Sequence, residues 1–304
     1  MRTFTTICAL LTTALVHAQP SPLPVYEIQH VSLPAEMDKQ VCVSGMKYMN
    51  GKLYMASERC PDIFVIDPVT AAVTGTVHTQ ITKEFEMEGL TSYKGNLYGV
   101  SENVVAIYEI DPATGNTREL SLSVPLPPKS KSGDGMEGIA ANETNNKFYL
   151  LRERNEHMTA AQLWSFTIEP GTDDNSFSLK FESMLELPLE NPQWRYSDIC
   201  YDKENDRLLC LKSFSKGKTR RQFIESLDVD KSGNLLKGTL KNVEVARFSE
   251  ISNEYKDLRY SMNLEGITVD NKGNIWVVSD NTSGRAECEM PAKEKTILLQ
   301  LVKK

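Results

Sequence analysis

One design recurs five times along this chain, and a tandem repeat constrains architecture more than any local pattern. The copies run Ser44–Arg59, Glu88–Asn103, Glu137–Arg154, Asp198–Ser213 and Glu265–Asn281. Each opens on a small or acidic residue, in four copies followed by Gly, and runs through a few apolar positions. A polar turn follows, then a second apolar run closing on Ser-Glu, Arg-Glu, Lys-Ser or Ser-Asp. The turns are Asn50-Gly51, Lys94-Gly95, residues 143–146, residues 203–206 and Asn271-Lys-Gly273. Gly and Asn supply the positive φ that tight turns between twisted strands need, so each copy reads as a β-hairpin. A second hairpin follows each of the first four, at Ile63–Val77, Ala106–Leu120, Leu163–Phe181 and Ile224–Leu240.

Four antiparallel strands per repeat is the sequence form of a β-propeller, whereas sandwiches and jelly rolls predict no tandem repeat of this kind. The fold class is therefore all-β, a propeller of five blades, or six should residues 214–260 hold a degenerate one. The fifth repeat has its first hairpin and one further strand, Thr296–Val302, and lacks a fourth. Val25–Leu33, ahead of repeat one, can supply it; an N-terminal strand in the last blade would close the ring and leave no open sheet edge.

Residues 1–18 read as a secretory signal. Arg2 precedes an apolar run from Ile7 to Val16, and Val16-His17-Ala18 offers a cleavage site before Gln19. The expectation is a secreted or periplasmic protein with one propeller domain over residues 19–304 and no transmembrane segment, since no later stretch nears about 18 apolar residues. The formal net charge is −7 and the chain has no basic tract, which argues against nucleic acid as a partner. A monomer is expected, with a small-molecule or surface ligand that the sequence does not identify.

Six cysteines become five once Cys8 leaves with the signal, so at least one thiol stays unpaired. Cys42, Cys60 and Cys288 belong to one face of the ring, and one disulfide is expected among them, with Cys60 as its member. Cys42–Cys60 would pair across the first hairpin; Cys60–Cys288 would tie the first blade to the last. A four-residue turn sets Cys200 opposite residue 209, so Cys200 and Cys210 point to opposite faces and are expected as buried thiols. Tyr54, Tyr98, Tyr149 and Trp276, inside the second strands, read as core between blades.

Where a propeller's first strand opens and its second closes, the two residues meet at one mouth of the central channel. Glu88, Glu137, Asp198 and Glu265 hold the openings, with Ser44 in the first repeat, and Glu58, Glu102, Glu153 and Asp280 hold the closings. That many like charges cannot all ionise without a counter-charge. A hard divalent cation with about 6–8 oxygen ligands, Ca²⁺, satisfies them; so does a ring of ion pairs with Arg59, Arg152 and Arg154, which with Arg285 also lie where an anionic substrate near a metal could be held. A carboxylate cluster doing acid–base work without metal is a third reading, with Glu137 and Glu153 as its candidate bases. His157 follows one closing and reads as an exposed loop residue. No nucleophile elbow and no C-x-x-C is present, so a serine triad and a zinc site are not expected.

The series Ser-Gly-Met, Glu-Gly-Leu, Met-Glu-Gly-Ile, Arg-Glu-Arg, Ser-Asp-Ile and Glu-Gly-Ile, ending on Gly-Asn-Ile-Trp-Val-Val-Ser-Asp, resembles the SdiA-regulated propeller family over about residues 25–302. More loosely it resembles the esterase-like phytase family. The first resemblance implies a calcium ion on the propeller; the second implies esterase or phytase activity. The Asp-Ala-x-Asp-Asp-Pro strings of propeller phytases are absent. Two functions follow as expectations: an exported calcium-binding propeller acting as a ligand-binding or scaffold module, or a metal-dependent hydrolase of phosphoesters, esters or lactones.

Overall fold

The computed structural model describes residues 25–32, 41–130, 134–171, 176–251, 260–281, 288 and 290–304, so the signal segment and Arg285 lie outside it. The chain forms five antiparallel sheets in a ring, one per repeat, with almost no helix. Blade one is Val43–Met49, Lys52–Ser57, Ile63–Ile66 and Val73–Val77. Blade two is Met87–Tyr93, Asn96–Ser101, Ile107–Ile110 and Thr117–Glu119. Blade three is Met136–Asn142, Lys147–Arg152, Ala160–Pro170 and Phe177–Pro188, with Ser121–Leu122 added in parallel outside. Blade four is Trp194–Asp202, Arg207–Lys216, Thr219–Asp228 and Lys241–Asn242. The stretch between blades four and five holds no sixth blade among its described residues.

Blade five draws on both ends of the chain. Leu264–Val269, Ile275–Ser279 and Leu298–Lys303 are joined by Tyr26–Ser32, antiparallel to Leu298–Lys303, which is the expected ring closure. Val245–Ala246 then covers the outer edge of that N-terminal strand in parallel. Without the N-terminal strand, Leu298–Lys303 would be left as an open outer edge of blade five.

The first hairpins turn as the sequence implies. Asn50 and Gly51 both have positive φ (52° and 78°), as do Lys94 and Gly95 (47° and 87°), the backbone of a two-residue turn that follows strand twist. The core is divided among five apolar clusters, one in each seam between neighbouring blades. Tyr98, Tyr149 and Trp276 are buried in these seams and Tyr54 packs against one. Cys200 pairs in register with Leu209 and faces the seam of blades four and five, while Cys210 faces that of blades three and four; both are buried free thiols. Of the two pairings open to Cys60, the structure has Cys60–Cys288, spanning 228 residues, with Cys42 buried and outside the disulfide.

Candidate metal centre

Each blade begins with the same irregularity. In blade one the register runs Val43↔Ser57 and then Gly45↔Ala56, so Ser44 is an extra residue. The same step leaves Glu88, Glu137, Ser197 and Glu265 extra in blades two to five. A bulge of this kind re-aims a side chain out of the ladder, here at the mouth of the channel. Glu88, Glu137 and Glu265 therefore sit where the repeat predicts.

Asp198 does not. Its sequence neighbour Ser197 holds the bulge, and Asp198 takes the place that Gly45, Gly89, Gly138 and Gly266 hold in the other blades. Those glycines mark where blades touch backbone to backbone: a Cβ on Gly89 would lie 2.8 Å from the Ile139 nitrogen, and one on Gly138 2.8 Å from that of Ile199. Between blades four and five a carboxyl group fills this gap instead. Asp198 accepts hydrogen bonds from the backbone N–H of Ile199 and, across the seam, of Ile267, each at 2.8 Å. Both its oxygens accept from backbone, so Asp198 bridges the seam of blades four and five, and the bulge position expected for it is held by Ser197.

The closing residues Glu58, Glu102, Glu153 and Asp280 stand one beyond the last paired position, while their equivalent in blade four, Ser213, is still paired, with Arg195. Blade four therefore contributes serine at both carboxylate positions of the ring, Ser197 and Ser213. Ser197 donates to the Leu264 carbonyl at 2.9 Å, and Ser44 bonds the Met87 carbonyl in the same way. The seven remaining carboxylates, Glu58, Glu88, Glu102, Glu137, Glu153, Glu265 and Asp280, share one mouth.

A further ring, two residues before each bulge, completes it: Cys42, Glu86, Gly135, Arg195 and Asn263. Arg195 is the residue that sequence reasoning missed. It donates to Glu153 Oε1 at 2.9 Å and Asn263 Oδ1 at 2.8 Å, and it pairs with Glu265. Asn263 in turn donates to Asp280 Oδ2 at 3.0 Å and to Glu265. One blade thus supplies a guanidinium to the carboxylates of two others. Burial works against the charge on Arg195, but Glu265, Glu153 and Glu137 outweigh it and hold its pKa well up. The other expected cations divide. Arg59 pairs with Glu86 at 2.8 Å and Glu58 at 3.3 Å; Arg154 pairs with buried Asp134 and lies 3.6 Å from Glu153. Arg152 turns away, to Gln162 and the Pro128 carbonyl. His157 is exposed in its loop. Lys129, from the Pro-rich loop between blades two and three, pairs with Glu102.

These cations do not reach every acid. Glu88 and Glu137 are 5% and 8% exposed, and neither accepts a hydrogen bond from, or forms an ion pair with, any described residue. Burial, and then the surrounding carboxylates, push both well above the usual carboxylate range. Burial also raises Glu102, Glu265 and Asp280 to about 7, against the opposing pull of Lys129, Arg195 and the Ser261 and Asn263 hydrogen bonds respectively. Glu86, Glu88 and Glu102 each bring one oxygen within 4.8 Å of the other two. Hard oxygen donors at this spacing, with buried carboxylates lacking a partner, suit a divalent cation such as Ca²⁺.

Comparison with known proteins bears on the family and the fold. A family model, phytase-like, described as esterase-like activity of phytase, matches residues 43–282, which is the looser of the two resemblances read from the sequence. No curated protein matches the chain. Among solved structures, glutaminyl cyclase of Myxococcus xanthus superposes with a TM-score of 0.52 at 13% identity, over 93% of this chain and 98% of that one. A family AA12 carbohydrate-active enzyme of Trichoderma reesei gives 0.48 at 10% identity, over 96% and 100%. At these identities the likeness extends to the fold alone.

Proposed function

Because the chain belongs to the phytase-like family, whose description is esterase-like activity of phytase, we propose that the acidic mouth is a Ca²⁺ site on an exported ligand-binding propeller. The observation that carries this reading is the pair Glu88 and Glu137, buried in the acidic mouth with no ion pair or hydrogen bond to a described residue. Glu86, Glu88 and Glu102 would hold the ion, and Glu137, facing the same space, would complete its shell directly or through water. Leaving such carboxylates uncompensated is costly, and a bound cation supplies the missing charge. The SdiA-regulated resemblance supports the same reading.

The family match favours a second reading, hydrolysis of an ester or phosphoester. A bound divalent cation supplies Lewis-acid polarisation of a substrate oxygen. Glu137 is suited to take a proton from water, since no other described side chain bonds its carboxylate. Glu153 is the poorer base, because Arg195 and Arg154 already occupy it.

Calorimetric titration of chelator-stripped protein with Ca²⁺, followed by an ester and phosphoester panel with and without chelator, separates the readings. Binding without turnover supports the ligand-binding module; chelator-sensitive turnover supports the hydrolase. Absence of Ca²⁺ binding would refute both.

A further inference from the structure

Lys129 stands apart among the cations of the mouth. Arg59, Arg154 and Arg195 are each held by two or more groups, whereas the Lys129 side chain is 37% exposed and has Glu102 as its ion-pair partner. Its charge is felt by Glu102 and also by Glu86 and Glu88, the three acids whose oxygens converge. The ammonium therefore sits against one of the three converging carboxylates, Glu102, and beyond ion-pair distance of the other two.

The loop bearing it is fixed on both sides. Leu126 is buried in the seam of blades two and three, and the Pro128 carbonyl accepts from Arg152 at 3.3 Å. Beyond Lys129, Ser130 and Asp134 are joined by three hydrogen bonds of 2.8–3.0 Å, and Asp134 is locked by Arg154. Between these fixed points the Lys129 side chain, partly in solvent on its four-carbon stem, has a path out of the mouth.

We propose that Lys129 is a tethered counter-ion of Glu102 that gives up this carboxylate when a divalent cation enters the Glu86–Glu88–Glu102 cluster. This deepens the metal reading above and rests on it. An ammonium carries one charge and three donors; Ca²⁺ carries two charges and takes oxygens from all three carboxylates at about 2.3–2.6 Å. A doubly charged ion at Glu102 repels the ammonium beside it and weakens its hold on the shared carboxylate. The site then trades affinity for a cluster that is never left without positive charge, and metal loading places a free lysine at the rim of the mouth. Exposed, freed and still close to the ion, that lysine is available to an anionic group on a ligand.

The test compares the full chain with Lys129→Met, both stripped with chelator, by calorimetric titration with Ca²⁺ alone. Exposed ion pairs are weak, so Lys129→Met is expected to bind Ca²⁺ about fivefold more tightly, equivalent to about 1 kcal/mol. In the unaltered protein, acylation of Lys129 by an amine-reactive label, read by peptide mass spectrometry, should speed up several-fold on Ca²⁺ addition while Lys180 and Lys216 do not change. Removing a nearby charge could tighten binding at a distance, but only displacement unmasks the amine. Ca²⁺ binding that leaves Lys129 labelling unchanged overturns this inference and spares the metal site. No binding to either protein overturns the metal site, and the inference with it; binding to Lys129→Met alone supports both.

Discussion

Stripped of metal, this protein should lose stability as pH rises from 5 to 8, opposite to the usual behaviour of a protein rich in paired carboxylates. Glu265 and Asp280 are raised in the folded state to about 7, from ordinary values of 4.5 and 3.8. A carboxyl with a raised folded pKa binds its proton more tightly folded than unfolded. Its contribution is therefore present below the unfolded pKa and is lost as pH climbs through about 7. At 1.36 kcal/mol per tenfold, a move from 4.5 to 7 corresponds to about 3 kcal/mol for one such group. The groups are coupled through Arg195, so a total of a few kcal/mol is expected rather than a sum over all seven. For a chain of this length, about 3 kcal/mol corresponds to roughly 5 °C in Tm. Thermal unfolding in excess chelator, followed by circular dichroism at pH 5, 6, 7 and 8, measures it directly. Saturating Ca²⁺ should flatten or reverse the slope by favouring the ionised acids. A Tm that climbs from pH 5 to 8 in chelator would refute the argument, because it would mean that the mouth is already neutralised by its own cations.

Two substitutions probe the scaffold of the mouth. Arg195→Met leaves Glu265 without its cation and Glu153 with Arg154 alone, and should cost about 3–5 kcal/mol in urea unfolding at pH 8, with a smaller loss at pH 5 where the acids take up protons; equal losses at both pH values would contradict the clamp. Asp198→Asn keeps the volume but turns an amide NH₂ toward a backbone N–H, so one of the two donors loses its acceptor, at a cost of about 1–3 kcal/mol; an Asn variant as stable as the native protein would show that the carboxylate is not spanning the seam.

Much of the fold is legible in the residues themselves. Asn50-Gly51 and Lys94-Gly95 announce their turns through backbone chemistry, and the absent fourth strand after Leu298–Lys303 points to the N-terminal segment. Cysteine parity and hairpin register were enough to keep Cys200 and Cys210 apart. The site was less legible, for two physical reasons. Repeat four lacks the glycine that anchors the others, and without it Ser197 and Asp198 compete for the bulge; the acidic residue looks like the match, yet the serine occupies the position. The ring containing Arg195 is built from Cys42, Glu86, Gly135, Arg195 and Asn263, five residue types with no shared chemistry, so no repeat pattern exposes it. Glu86 was hidden in the same way. What these positions share is a place relative to a bulge, which only pairing reveals.

The closure of blade five also sets a timetable. Tyr26–Ser32 is among the first described segments to be made, and its partner Leu298–Lys303 among the last. At synthesis rates of about 5–20 residues per second, the early strand waits tens of seconds for its mate. Through that interval it is an unpaired strand that could join a wrong neighbour, such as another nascent chain. Its polar residues, Glu27, Gln29 and His30, interrupt Tyr26, Ile28 and Val31, so the waiting segment never offers a continuous apolar stretch. Four blades can assemble as they emerge, but the circle is completed only when the final strand arrives, and the mouth, which takes acids from blades one and five alike, is born with it.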